Sequence, residues 1–299
     1  MKEIKLIVPI IGFFLIILWI SYNIDFKQII SILARADKTY LFLAFILSLA
    51  QIFIASLRFY FFLCAAETKV RLSKCIEAVM KAIAYNSFIP SKGGDLLKAF
   101  VLSSQKSKII RITGVAIVER IVDLFVVILI SLVGLLVIDQ YKYAIISVLL
   151  LCSLCIILFI LKRIKQLPLI KQKLYSIKDL DNIFITNWKS SIIAVISSFF
   201  FWFINLLIII LLLKSVGLNL AYFKIFAYWP FAMVSGILPL SISGFGTRDG
   251  VFVYLLDNPQ FTEPILTATF LYTILLYWLL SLISLLLLTV INFYNCEKN

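Results

Sequence analysis

Six apolar runs, at roughly 4–22, 39–65, 110–138, 143–161, 190–213 and 265–291, each approach the roughly 20 residues a helix needs to cross a bilayer. In hydrocarbon every backbone N–H and C=O must be satisfied within the segment, so runs of this kind fold as helices. With 63% hydrophobic and 14% charged residues, and a mean hydropathy of +1.09, little sequence is left for anything soluble. The longest polar interval, Lys162 to Lys189, is too short and too poor in core residues to fold alone. The expected fold class is therefore all-α and integral to the membrane, with one domain over residues 1–299.

Two further apolar stretches, roughly 75–103 and 222–256, are interrupted in the same way. Each carries a proline (Pro90, Pro239), then glycines (Gly93 and Gly94; Gly244, Gly246 and Gly250), then an acid and a base (Asp95 and Lys98; Arg248 and Asp249). Proline removes a helical hydrogen bond and clashes with the preceding turn, so each stretch is expected to form two half-helices entering and leaving on one side. The architecture expected is six full transmembrane helices plus two broken re-entrant hairpins. A plain eight-helix count is the rival reading.

Lys and Arg set the orientation. Lys2 and Lys5, then Lys69, Arg71 and Lys74, then Lys106, Lys108 and Arg111, and the bases from Lys162 to Lys189 fall on one side, expected to be cytoplasmic. Both termini then lie inside, and the halves, about 1–138 and 139–299, become inverted copies. The N-terminus has the charge of a signal sequence, but Ser21–Asp25 offers no small-x-small cleavage site, so the first span is expected to stay. Phe26–Asp37 and Leu167–Ile185 have amphipathic character and are expected on the membrane surfaces. The formal net charge of +13 reads as loop bias and affinity for anionic lipid, and no nucleic acid is expected as a partner.

Ionisable residues inside spans are costly and mark pathways or partners. Glu119, Arg120 and Asp123 fall about 14 Å or more along the third span at 1.5 Å per residue, near mid-bilayer. Glu119 and Asp123 are four apart and share a face, so a cation is required beside them. Lys98 or Arg248, both just after hairpin tips, is the natural candidate, with Lys92 a further one. The alternative is that these charges only pin helices together. Arg58, with Gln51 a little under two turns before it, is expected to snorkel to the nearby surface. Half-helix N-termini at the glycine-rich tips would offer unpaired N–H groups and a positive dipole end to a phosphate. Asn86 and Ser87 either satisfy carbonyls freed by the break or bind ligand.

The chain has no His, no Gly-x-x-x-x-Gly-Lys-[Ser/Thr] loop and no Ser-His or Cys-His arrangement, which argues against ATP-driven pumping and nucleophilic catalysis. Cys152 and Cys155, without a His, read as packing residues of a core helix rather than a metal or redox site. No catalytic residue, metal or cofactor is expected.

Taken in order, Leu57–Leu63, Asn86–Pro90, Gly93–Lys98, Val118–Asp123 and Gly244–Gly250 resemble the successive motifs of the lysylphosphatidylglycerol synthase transmembrane-region, or flippase-like, family over nearly the whole chain. Its best-known member is the N-terminal half of the multiple peptide resistance factor. The resemblance implies a multi-pass protein of the cytoplasmic membrane that moves a phospholipid or polyprenyl-linked lipid between leaflets. It implies headgroup contacts from Asn86, Gly93, Gly94, Asp95, Lys98, Gly244, Gly246, Arg248 and Asp249, and charge or proton coupling by Glu119, Arg120 and Asp123. Asp95, Lys98 and Asp249 stand where the family often has Glu, Arg and Glu, and Lys98 gives up bidentate phosphate recognition. In two-domain relatives a cytosolic synthase follows this region. None is expected after Asn299, so synthase activity is set aside. A second copy or a lipid-modifying enzyme is a candidate partner, and a non-transporting partner of such an enzyme or of a glycosyltransferase is the alternative function.

Overall fold

A computed structural model describes residues 26–86, 94–103, 105–164, 187–236 and 244–296. The first expected span, Ser87, the hairpin residues Pro90, Lys92, Gly93 and Pro239, and the stretch Leu167–Ile185 lie outside the described residues. Those described are helical, with no strand among them. The helices are α1 (Phe26–Arg35), α2 (Lys38–Ala65), α3 (Leu72–Asn86), α4 (Leu97–Leu102), α5 (Lys106–Val137), α6 (Tyr141–Ile164), α7 (Trp188–Ser215), α8 (Tyr222–Ser235) and α9 (Thr247–Leu256). A last run joins α10 (Thr262–Thr273) to α11 (Leu280–Cys296) through a π-helical turn, Ile274–Leu279.

Among the described residues five helical segments are long and apolar enough to cross a membrane: Lys38–Ala65, Lys108–Val137, Tyr141–Ile160, Trp188–Ser215 and Pro259–Thr289. The chain is accordingly a multi-pass membrane protein. The two interrupted stretches do form pairs of shorter helices. At 1.5 Å per residue, α3 and α8 are only about 20 Å long, α4 about 9 Å and α9 about 15 Å. None alone spans a hydrocarbon core of roughly 30 Å.

The same backbone details recur at residue numbers that differ by 150. After α2, Glu67 takes a positive φ of 53°, and the Thr68 N–H donates to the Leu63 carbonyl at 2.8 Å. After α7, Gly217 takes a φ of 81°, and the Leu218 N–H donates to the Leu213 carbonyl at 2.9 Å. Both are left-handed helix stops that satisfy terminal carbonyls. Ser131 of α5 donates to the Ala227 carbonyl of α8 at 2.7 Å, and its counterpart Ser281 of α11 donates to the Ala84 carbonyl of α3 at 3.0 Å. Each half's last helix thus clasps the broken helix of the other half, while α2 packs along α7 between them.

Close approach makes the α5–α8 clasp possible. A Cβ on Gly134 would lie 2.6 Å from the Ala227 nitrogen, so only glycine lets these backbones meet, as is usual where helices pack in lipid. The main core gathers Val127 of α5, Leu206 and Ile209 of α7, Trp229 of α8 and Phe252 of α9. The expectation that Cys152 and Cys155 are core residues is overturned. Both are exposed on α6, which packs chiefly against α5 and turns Ile145, Leu149, Ile156 and Phe159 outward. An apolar outer face of this kind suits lipid.

Candidate functional site

Three acids and three bases form one connected network at the α2, α4 and α5 contact. The Arg58 guanidinium donates from Nε and Nη2 to Glu119 Oε1 (3.0 and 2.7 Å) and from Nη1 to Asp123 Oδ1 (2.7 Å). Lys98 Nζ reaches Glu119 Oε2 at 3.0 Å and Asp95 Oδ1 at 3.1 Å. Arg120 closes the network, pairing with Asp95 and, at 3.3 Å, with Asp123 Oδ2. Glu119 is fully buried and Arg58 is 2% exposed. Isolated charges at such depth carry a desolvation penalty of several kcal/mol each, so mutual compensation is what allows all of them to stay inside. Two rings complete the wrapping: Arg58 lies 4.3 Å from the centroid of Phe201 and Lys98 4.7 Å from that of Phe59.

Local sequence explains how these groups arrive together. Glu119 and Asp123, one turn apart, face the same way on α5, and Arg120 follows the acid it flanks. On α2, Ser48, Gln51 and Arg58 are buried in a helix otherwise dominated by apolar residues. That inward polar stripe is the signal that marks Arg58 as a core residue. The expectation that Arg58 snorkels is therefore wrong. Its stem is long enough to reach water, but two carboxylates on α5 hold it inside more strongly than solvent draws it out. Lys98 meets Glu119 as expected, whereas Arg248 does not.

Arg248 instead builds a second, smaller site on α9 and α10. Its Nε and Nη2 bond Asp249 Oδ1 at 2.8 and 2.5 Å, and Nη2 also reaches the Thr269 carbonyl and Thr273 Oγ1. The guanidinium carbon sits 5.3 Å from the Trp229 ring centroid and 4.8 Å from that of Tyr272. Asp249 is doubly occupied, because its Oδ2 accepts the Gly246 N–H at 2.9 Å, an N3 carboxylate capping the start of α9. Gly244 holds a φ of +74°, a conformation suited to glycine. Gly94 and Gly244 both lie against the helix before their break: a Cβ on Gly94 would fall 2.7 Å from Asn86 Oδ1, and one on Gly244 3.2 Å from the Gly236 Cα.

Between the two sites lies a cavity of about 110 Å³ lined from both halves. Gln51, Asn86, Asp95, Lys98 and Arg120 face it from the first half; Trp202, Asn205, Tyr272 and Tyr277 face it from the second. Trp202 Nε1 donates to Asp123 at 3.3 Å, tying α7 to the ion network, and Asn205 bridges Tyr272 and Trp229 at 2.7 and 3.2 Å. Trp202, Asn205 and Tyr272 do not belong to any motif read from the sequence. The signal for Trp202 and Asn205 is a second inward polar stripe, Ser198, Trp202 and Asn205, on α7. The π-helical turn that supplies Tyr277 borders the same cavity, a placement common for π-bulges at functional sites. The cavity thus collects Asn86, Asp95, Lys98 and Arg120 among the expected residues. Glu119 and Asp123 stand behind it, and Arg248 and Asp249 sit beyond the Tyr272 ring.

An α-helical membrane fold with a buried ion network and a cavity shared by two halves defines a class, helical membrane proteins with a polar interior. Residues 6–284 match the family model described as Lysylphosphatidylglycerol synthase TM region, and the chain belongs to that family. No curated protein matches the chain. The match and the five apolar helices fit a membrane protein concerned with lipid transport in the general sense.

Proposed function

We propose that the chain moves the headgroup of a membrane lipid between leaflets of the cytoplasmic membrane, acting as a transporter rather than an enzyme. The observation that carries the reading is the cavity, a polar, charge-lined space that residues of both halves share in a protein otherwise made of apolar helices. In the reading, α3 with α4 and α8 with α9 are re-entrant hairpins entering from opposite sides, the apolar run at 4–22 of the sequence supplies a sixth span, and the halves form an inverted repeat with both termini inside. Support comes from half-helices too short to cross and from backbone features recurring 150 residues apart. Reciprocal clasping of each broken helix by the other half adds to this. Transporters built from inverted repeats place their substrates between discontinuous helices at the repeat interface. The headgroup would occupy the cavity while the acyl chains remain in lipid.

Purified protein in vesicles carrying fluorescent lipid analogues tests this through loss of inner-leaflet fluorescence to a membrane-impermeant reductant. Wild type should move label well above the protein-free rate. Glu119→Gln, which keeps shape but unbalances Arg58 and Lys98, should slow movement by about tenfold or more, the effect of about 1.4 kcal/mol. Protein-free rates for the wild type across lipids of differing headgroup would overturn the reading.

A further inference from the structure

The lining of the cavity restricts what it can hold. Its charged groups are spoken for: Arg58, Lys98 and Arg120 are matched by Asp95, Glu119 and Asp123 within the network. An added phosphate or ammonium would meet a locally neutral set and would have to displace an existing partner to gain an ion pair. Unmet hydrogen-bonding capacity is of another kind. Gln51 Nε2, Arg120 Nε and Asn86 Oδ1 are buried atoms with no partner among the described residues, all three residues line the cavity, and Gln51 is only 5% exposed. Leaving such groups unmatched forfeits the hydrogen bonds they made to water, so they point to a guest. Two are donors and one is an acceptor. A phosphate ester oxygen only accepts and an ammonium only donates, whereas a hydroxyl does both.

The remaining lining is aromatic, with Trp202, Tyr272 and Tyr277 around one side. Flat rings beside a few fixed polar groups are what a polyhydroxylated ring needs, apolar C–H faces packing on aromatics and hydroxyls reaching the amides. We propose that this cavity binds the sugar of a glycosylated lipid, with Gln51, Asn86 and Arg120 reading its hydroxyls. The inference rests on the transport reading for its purpose, but its chemistry stands on the lining alone. Gln51 is then a specificity residue. It makes no ion pair, so its removal separates recognition from the charge network.

Purified protein in mild detergent, offered equal amounts of glucosyl-diacylglycerol, phosphatidylglycerol and phosphatidylethanolamine of matched acyl chains, reports the preference by native mass spectrometry. The glucosyl lipid should be retained about fivefold or more over both others, as one or two net hydrogen bonds allow. Gln51→Met should abolish that preference without lowering the thermal midpoint, since it removes an unmatched polar group of similar shape. Equal or better retention of either phospholipid, or an unchanged preference in Gln51→Met, overturns the proposal; the wild-type competition decides alone if the variant fails to fold. Fluorescent versions of the same lipids in vesicles keep the two readings apart. Transport without headgroup preference would sink the sugar site and leave transport standing. Gln51-dependent glucosyl binding with no movement of any lipid would do the reverse.

Discussion

The two halves solve the same structural problem with different chemistry. Lys98 and Arg248 occupy equivalent places just after their breaks, 150 residues apart, and each reaches the following span at equivalent positions. Lys98 meets Glu119, which together with Asp123 also holds Arg58. Arg248 meets Thr269 and Thr273, the counterparts of Glu119 and Asp123. Where the first half has Arg58 and Arg120, the second has Ile208 and Phe270. Without carboxylates at these two positions, no additional bases are needed there, and a single pair with Asp249 suffices. The geometry of the clasp is thus independent of charge, and the dense ionic network of the first half exceeds what holding the helices together requires. Buried ion networks are rarely the most stable filling for a core, so the excess points to function on the first-half side of the cavity.

Removing one member of each site should expose the difference. Arg58→Met leaves Glu119 and Asp123 short of a cation, and should destabilise the detergent-solubilised protein by about 3–5 kcal/mol in a denaturant titration. Arg248→Met should cost less, about 1–3 kcal/mol, because Asp249 keeps the Gly246 N–H. The sharper test transplants one half's solution into the other. Arg58→Ile, Glu119→Thr, Arg120→Phe and Asp123→Thr together remove two positive and two negative charges and leave Lys98 with Asp95, as Arg248 is left with Asp249. This quadruple variant should recover most of the stability lost in Arg58→Met, while vesicle transport stays absent. If it is no more stable than Arg58→Met, the equivalence of the two clasps is wrong.

A smaller effect probes the folding back of the first broken helix. Gly94→Ala would set its Cβ 2.8 Å from the Ala82 carbonyl and 2.7 Å from Asn86 Oδ1. Backbone atoms of α3 yield little, so the variant should lose about 1–3 kcal/mol, measured as a drop in the thermal midpoint.

Some of this was legible in the sequence and some was not, for identifiable reasons. The spans and the two interruptions follow from apolar run length and from proline and glycine, which act locally, and the helices from α2 to α11 fall where those signals put them. Glu119, Arg120 and Asp123 stand out because charge is rare in such runs, and the shared face of Glu119 and Asp123, which calls for a cation beside it, follows from helical spacing. The burial of Arg58, and the choice of Lys98 over Arg248 as the partner of Glu119, are not legible in the sequence because partner choice is decided across helices. Arg58 lies near a helix end, where snorkelling and burial look alike until α5 is placed beside it. Arg248 has an acid next to it in sequence, and that local pair wins over the more distant Glu119. Trp202 and Asn205 are uncharged and sit among apolar neighbours, so only the three- and four-residue spacing of Ser198, Trp202 and Asn205 on α7 hints that they face inward.

The mildest prediction tests where the halves have diverged at a position neither site uses. Gly250 lies within α9, and a Cβ there would meet nothing within 4 Å. Its counterpart, Phe100, sits in α4 and is 63% exposed, so this position in the other half already carries a large side chain pointing away from the core. Glycine inside a helix costs roughly 0.5–1 kcal/mol relative to alanine through the backbone freedom it surrenders on folding. Gly250→Ala should therefore raise the thermal midpoint slightly, by an amount matching that range, and leave transport at the wild-type rate. A loss of stability would mean that α9 packs against something not seen at its outer face, and that the two post-break helices are less alike than their shared position suggests.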